Sequence, residues 1–206
     1  MAFRDFTYPD LIRQFGLTEV TEPNLFAAIP PVDPGKLLRD TLGQSAALGA
    51  GANSEAARMI WMVGPVLGDL WARYRGRVCV NAAAEFDADP AARLTGFCDF
   101  VVGRGPQRSQ ISAPLLVIFE AKRDNITDGL GQCIAAMIGA ERFNRREGQP
   151  IDPIYGCVTT GSIWKFLQLS GSTLTQDLTE YTLSQVDRLL GILIHMIGPV
   201  PQPAAA

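Results

Sequence analysis

Histidine is all but missing from this chain: among its 206 residues there is one, His195, in an apolar stretch near the C-terminus. Histidine-built metal sites and Ser-His-Asp chemistry therefore have almost no raw material. Cysteine is sparse as well, and Cys79, Cys98, Cys133 and Cys157 include no C-x-x-C pair, so free, buried thiols are expected rather than zinc ligation or dithiol exchange. No apolar run approaches the roughly 18 residues of a membrane span. Arg4, Asp5 and Asp10 stand where a signal peptide needs its apolar centre, so a cytoplasmic protein without membrane association is expected. Positive charge is not in excess either, with 18 Lys and Arg against 21 Asp and Glu and a net charge of −3. Any surface that holds a polyanion must therefore be local.

What is present is a composition of 47% hydrophobic and 19% charged residues in a chain long enough for one domain with a proper core. Residues 1–52 carry Pro9, Pro23, Pro30, Pro31, Pro34 and the run GQSAALGAGAN, with only the short apolar patches LIRQFGL and LLRDTLG between them. This reads as an irregular arm with one or two short helices. The segment PGKLLRD lacks the flanking glycines and the strand that a Walker motif requires. Residues 53–198 read as the folded domain, and 199–206 (PVPQPAAA ends the chain) as a disordered tail.

Within the domain, Ser54 is placed to cap a helix whose apolar residues Ile60, Val63, Leu67 and Leu70 or Trp71 recur at helical spacing, with a bend at Gly64–Pro65 and an end at Gly76. RVCVNAAAEFD and LTGFCDFVVG read as two strands, the second with Phe97, Asp99 and Val101 on one face and Cys98, Phe100 and Val102 on the other. A third strand, LLVIF, follows Pro114. Next come a helix over about 128–146, a strand in IYGCVTTG, a strand in WKFLQLS and a closing apolar helix that Ser184 is placed to cap. The expected order is helix, three strands, helix, strand, with additions at both ends: an α/β class with a mixed sheet.

The third strand ends in an unusual way. LLVIFEAKRDN puts a carboxylate and an amine two positions apart on an otherwise apolar strand, so Glu120 and Lys122 project from the same side. Ionised groups are rarely buried unless paired or bound to a metal. Asp99 interrupts an apolar face of the neighbouring strand and needs a cation or a strong donor beside it. Two carboxylates from adjacent strands suit Mg²⁺, whose shell is built of oxygens and waters. A lysine next to such an ion can orient or help to deprotonate a water. Bland readings stand beside these: a solvated ion pair for Glu120 and Lys122, a structural aspartate for Asp99, a helix-dipole carboxylate for Glu55, and an early helical polar residue for Gln132.

These pieces resemble the PD-(D/E)XK nuclease superfamily, the restriction-endonuclease-like fold. The matching segments are SEAAR with Glu55, GFCDFVVG with Asp99, VIFEAKR with Glu120 and Lys122, and GLGQC with Gln132. The resemblance spans residues 53–197 and is narrowest to an uncharacterised bacterial group of that superfamily. It does not reach the first 52 residues. It implies an αβββαβ core with an added strand and a C-terminal helix. It also implies Mg²⁺, or Mn²⁺ in its place, held by Asp99, Glu120 and the Ala121 carbonyl, with Lys122 acting on water. Glu55 would be a further acidic ligand, and Gln132 would orient the lysine, the water or a phosphate. The proline that names the superfamily is Cys98 here.

The function so implied is metal-dependent hydrolysis of DNA phosphodiester bonds, with a homodimer as a way to cut both strands. The competing expectation is a catalytically silent module of the same fold that binds DNA or a partner protein, and a third is hydrolysis of a small phosphate compound. Arg73, Arg75, Arg77, Arg104, Arg108 and the run Arg142 to Arg146 either line a nucleic-acid groove or form a solvated charged face. Trp164 and Phe166 are expected in the core, and Thr159 and Thr160 near the end of the sheet.

Overall fold

A computed structural model describes residues 2–22, 24–52 and 54–200. Eight strands form one mixed sheet: β1 (Thr18–Glu22), β2 (Val78–Asp89), β3 (Leu94–Arg104), β4 (Leu115–Ala121), β5 (Ile154–Thr159), β6 (Ile163–Ser170), β7 (Thr173–Asp177) and β8 (Tyr181–Thr182). Their order is β1-β7-β6-β5-β4-β3-β2, with β8 beside β6. β4–β5 and β1–β7 are parallel and the other pairs antiparallel. The helices are α1 (Tyr8–Phe15), α2 (Gly35–Gly51), α3 (Glu55–Arg58), α4 (Gly64–Tyr74), α5 (Thr127–Arg146) and α6 (Val186–Ile197). The fold is thus mixed α/β, in the expected order of helix, three strands, helix, strand.

The sheet is covered on both faces, which explains why β4 and β5 are buried along their whole length. On one face α5 packs Cys133, Ile134 and Met137 against Val101, Ile118 and Val158. On the other, α4 and α6 bring Val66, Leu67, Leu190 and Leu193 against Val117, Phe119, Trp164 and Phe166. Trp164 and Phe166 are core residues as expected, and all four cysteines are free and buried. Asn144 on α5 joins helix to sheet: its side chain accepts from the Leu115 amide at 2.7 Å and donates to the Leu115 carbonyl at 2.8 Å.

The first 52 residues are more ordered than an irregular arm. Thr7 caps α1, α2 runs for 17 residues, and β1 is an edge strand of the sheet. Phe3 and Leu11 join the α5-side core, while Phe26, Leu38 and Leu42 join the other. The chain lies so close to α6 that a Cβ on Gly191 would collide with the Pro30 carbonyl. The two apolar patches were visible in the sequence; their helical continuation through the Gly- and Ala-rich run was not, because that run has no apolar period.

Three further details differ from expectation. Ile60 is 59% exposed, because a π-helical turn over Met59–Val63 joins α3 to α4 and resets the buried face to Met62, Val63, Val66, Leu67 and Leu70. Cys98 packs with Val101 on the α5 side while Phe100 and Val102 face the other way. Alternation breaks at Asp99, opposite which β2 carries Ala83 at φ 47°. Gln185, not Ser184, precedes α6, and it makes no side-chain cap there. The strands β7 and β8 lie in a polar stretch that carried no strand signal. Of the tail expected over 199–206, Pro199 and Val200 are described, and Val200 packs against the core on the α6 side; residues 201–206 lie outside the described residues.

Both outer strands are protected against further pairing. β1 is TEVTE, carrying Glu19 and Glu22. Along β2 the Gln107 side chain accepts from the Val80 amide at 2.9 Å and donates to the Val80 carbonyl at 3.0 Å, in place of a neighbouring strand. Among the described residues no helix is long and apolar enough to cross a membrane.

Candidate functional site

The site is built at the C-terminal end of β4. Glu120 is 3% exposed, and its side chain lies against the first turn of α5: a Cβ on Gly129 would stand 3.2 Å from Glu120 Cγ and 3.1 Å from Lys122 Cγ. Lys122 is the first residue past the strand. Its amide donates to the Thr159 carbonyl at 2.8 Å, which prolongs the strand direction. Its side chain therefore returns to the Glu120 side, where Nζ donates to Glu120 Oε1 at 2.6 Å. The pair is real and mostly buried, not a solvated one.

Asp99 comes from β3 just before that strand begins to pair with β4 at Phe100 opposite Phe119. Its Oδ2 accepts from the Ala121 amide at 2.6 Å, continuing the ladder with a side chain. The strong donor required beside Asp99 is thus a backbone N–H. Ala121 enters the site through its amide. Gln132, in the second turn of α5, lies 3.5 Å by its Oε1 from Lys122 Nζ, and its Nε2 donates to the Phe97 carbonyl at 3.3 Å. A chain of polar contacts thereby runs from β4 through α5 to β3.

Glu55 approaches from the opposite layer. Ser54 Oγ accepts from the Ala57 amide at 3.2 Å and sets the start of α3. This exposed carboxylate accepts from the Arg123 amide at 3.3 Å. All five predicted side chains therefore gather at one end of the sheet, next to an open cleft of about 390 Å³ lined by Glu55, Lys122, Arg123, Asp124, Asn125 and Asp128. A larger cleft of about 870 Å³, lined by Arg104 and Arg108, contains none of the five.

The electrostatics follow from the crowding. Burial, and next the Asp99 charge, push the Glu120 carboxyl up to about 8, against the pull of Lys122. Asp99 is raised too, by burial and by Glu55, although the Ala121 amide and Lys122 act the other way. Burial alone would lower Lys122, but the hydrogen bond and charge of Glu120 outweigh it and its pKa is raised. The site therefore gathers three carboxyl groups and one ammonium, with two of the carboxyls held above their usual range by burial and by their acidic neighbours.

Those oxygens are the hard donors that a cation such as Mg²⁺ prefers. Among the described residues, however, no group of three His, Cys, Asp or Glu side chains is assembled around a common point. Each carboxylate is turned onto its own donor: Asp99 onto Ala121, Glu120 onto Lys122, Glu55 onto Arg123. In donor chemistry the residues fit a divalent cation.

The basic residues divide. Arg142 binds Asp89 at 2.6 Å and Arg146 donates to the Ala88 carbonyl at 2.5 Å, which fastens α5 to the tip of the β2–β3 hairpin, while Arg145 binds Glu141 within α5. Arg73 is held by Asp69 at 2.5 Å. Each of these is engaged by a partner within the protein. Thr159 and Thr160 are buried and build the β5–β6 turn through Ile163 and Gly161. Sequence reasoning missed Arg58, one turn after Glu55, which ties α3 to that turn by donating to the Thr160 carbonyl at 2.9 Å. It also missed Gly129; a glycine in the first turn of a helix that follows a charged strand end was the available signal. The sequence matches no protein-family model, and no curated protein at significant similarity.

Proposed function

We propose that this protein is a metal-dependent nuclease that hydrolyses DNA phosphodiester bonds, working in the cytoplasm and cutting both strands as a homodimer. Mg²⁺, with Mn²⁺ able to replace it, would be held by Asp99, Glu120 and the Ala121 carbonyl, with Glu55 as an outer acidic ligand. The observation that carries the reading is the convergence of Asp99, Glu120 and Lys122 at one strand end, with both carboxyls raised by burial first and by neighbouring carboxylates next.

When bound, Mg²⁺ supplies the charge that acidifies a water and offsets the charge building on the phosphoryl oxygens. Lys122 has a raised pKa and keeps its proton at neutral pH. That is its state without the ion; with the ion taking up the carboxylate charge that raises it, Lys122 would orient the water or help to deprotonate it. Gln132, anchored on the Phe97 carbonyl, limits where the Lys122 ammonium can turn. Glu55 is fixed to the Arg123 amide and narrows the cleft entrance.

One observation favours the silent, binding-only alternative: every carboxylate of the site already has a donor, and among the described residues no three-ligand group is preformed. The test is to add Mg²⁺ or Mn²⁺ to the purified protein with single- and double-stranded DNA. Cleavage that falls at least a hundredfold in Lys122→Ala and Asp99→Ala is expected. Cleavage that survives both substitutions sinks the mechanism. DNA binding with no cleavage, and no heat on Ca²⁺ or Mn²⁺ titration, establishes the silent module in its place.

A further inference from the structure

The 18 Lys and Arg residues are not used evenly. Among the described residues, the charged groups of Arg75, Arg77, Arg104, Arg108 and Lys165 make no hydrogen bond and no ion pair, while the other cations are engaged. Four of these five sit together. Arg75 and Arg77 lead into β2, Arg104 ends β3 opposite Val78, and the Gly105 amide donates to the Arg77 carbonyl at 2.8 Å. Arg108 follows in the loop, its carbonyl accepting from Asn81 at 3.0 Å. All four are exposed, at the end of the sheet away from Asp99 and Glu120.

In a protein of net charge −3, unpaired guanidiniums do not collect at one place by surplus. Unlike a flat basic patch, this one borders a concavity: Arg104 and Arg108 line the cleft of about 870 Å³, which has an apolar stretch of wall in Ile111, Pro114, Ile151 and Phe143 beside a polar one in Ser112 and Gln149. Glu147 also lines it, but its carboxylate is turned to Arg146 at 3.3 Å. Such a volume suits a small organic ligand, and a guanidinium fork matches a phosphate.

We propose that this cleft binds a nucleoside monophosphate group, with the phosphate on Arg104 and Arg108 and the base against the apolar wall. Arg75 and Arg77 lie outside this cleft and add attraction only at longer range. The same chemistry is presented by a free nucleotide and by the phosphorylated end of a DNA strand. The site is independent of the carboxylate cluster, so it stands or falls apart from the nuclease reading.

The test is run in Ca²⁺-free buffer with EDTA, so that cleavage does not intervene. AMP is titrated calorimetrically, and fluorescein-labelled dT12 with and without a 5′ phosphate is followed by anisotropy. Wild type is compared with Arg104→Glu, Arg108→Glu and, as a control, Arg145→Glu; all three residues are exposed and the fold of each variant is checked by its melting curve. Binding weakened at least tenfold by the first two substitutions and not by the third is expected. If AMP binds, the site takes free nucleotides; if only 5′-phosphorylated dT12 binds, it takes strand ends. Absence of binding by all probes, or affinities that ignore Arg104→Glu and Arg108→Glu, overturns the proposal.

Discussion

The Asp99 carboxylate accepts the amide of Ala121 at 2.6 Å and so fastens β3 to the last residue of β4, immediately between Glu120 and Lys122. A residue read as chemistry is thus also a strand anchor, and the two roles separate in a pair of substitutions. Asp99→Ala leaves the Ala121 N–H without its acceptor in a mostly buried place, at a cost of about 1–3 kcal/mol. Relief of the repulsion with Glu120 offsets part of this. Asp99→Asn keeps an oxygen for the amide and removes the charge, so it is expected to unfold at higher urea than Asp99→Ala while losing cleavage as fully. Equal stability of the two variants contradicts the anchoring role.

Glu120 makes the stability of the metal-free protein depend on pH. Its carboxyl is raised from 4.5 to about 8 in the fold, so between those values the folded protein holds a proton that the unfolded chain has released. The contribution is complete below about pH 4.5 and is lost as pH rises through 8. The raised Asp99 acts in the same sense. Lys122, raised above 10.5, and the lowered Asp10, Asp33 and Asp89 act outside this window. Unfolding free energy is expected to fall on the order of 1 kcal/mol per pH unit across the window, and Glu120→Gln to flatten the fall. Added Mg²⁺ should raise the melting temperature more at pH 8.5 than at pH 6, because protons compete for the same oxygens. Stability that climbs from pH 5 to 8 in wild type rules out this assignment.

What the sequence disclosed was the part written in local signals. The apolar run of β4, the Ser54 cap and the early Gln132 located the charged cluster, because strand alternation forces Glu120 and Lys122 to one side wherever β4 ends. Long-range partners were not legible. Nothing local says that Asp99 meets an amide, that Glu55 meets the Arg123 N–H 68 residues away, or that Arg142 and Arg146 are occupied by the hairpin tip. The π turn at Met59–Val63 also escaped, since a single extra residue per turn turns Ile60 outward while Val63 stays buried, without altering composition. In the first 52 residues the two apolar patches did mark helices, but the order of the rest comes from contacts with α5 and α6 and not from the segment's own pattern.

Gly129 provides the most local test of the site. Its missing side chain lets the first turn of α5 lie on Glu120 and Lys122: an added Cβ would stand 2.7 Å from Val158 Cγ1, 3.1 Å from Lys122 Cγ and 3.2 Å from Glu120 Cγ. Gly68, exposed in α4, has nothing within 4 Å of the same atom. Alanine favours a helix over glycine by about 1 kcal/mol, so Gly68→Ala is expected to stabilise the protein by about 0.5–1 kcal/mol and leave activity unchanged. At Gly129 the same gain meets an overpacking cost of about 1–3 kcal/mol. Gly129→Ala is therefore expected to be net destabilising by about 1 kcal/mol and to lower cleavage at least tenfold, because Val158 belongs to the core while the Glu120 and Lys122 stems must give way. Urea unfolding and initial rates on the two variants check this. A Gly129→Ala protein as stable and as active as Gly68→Ala shows that the Glu120–Lys122 pair does not depend on its contact with α5.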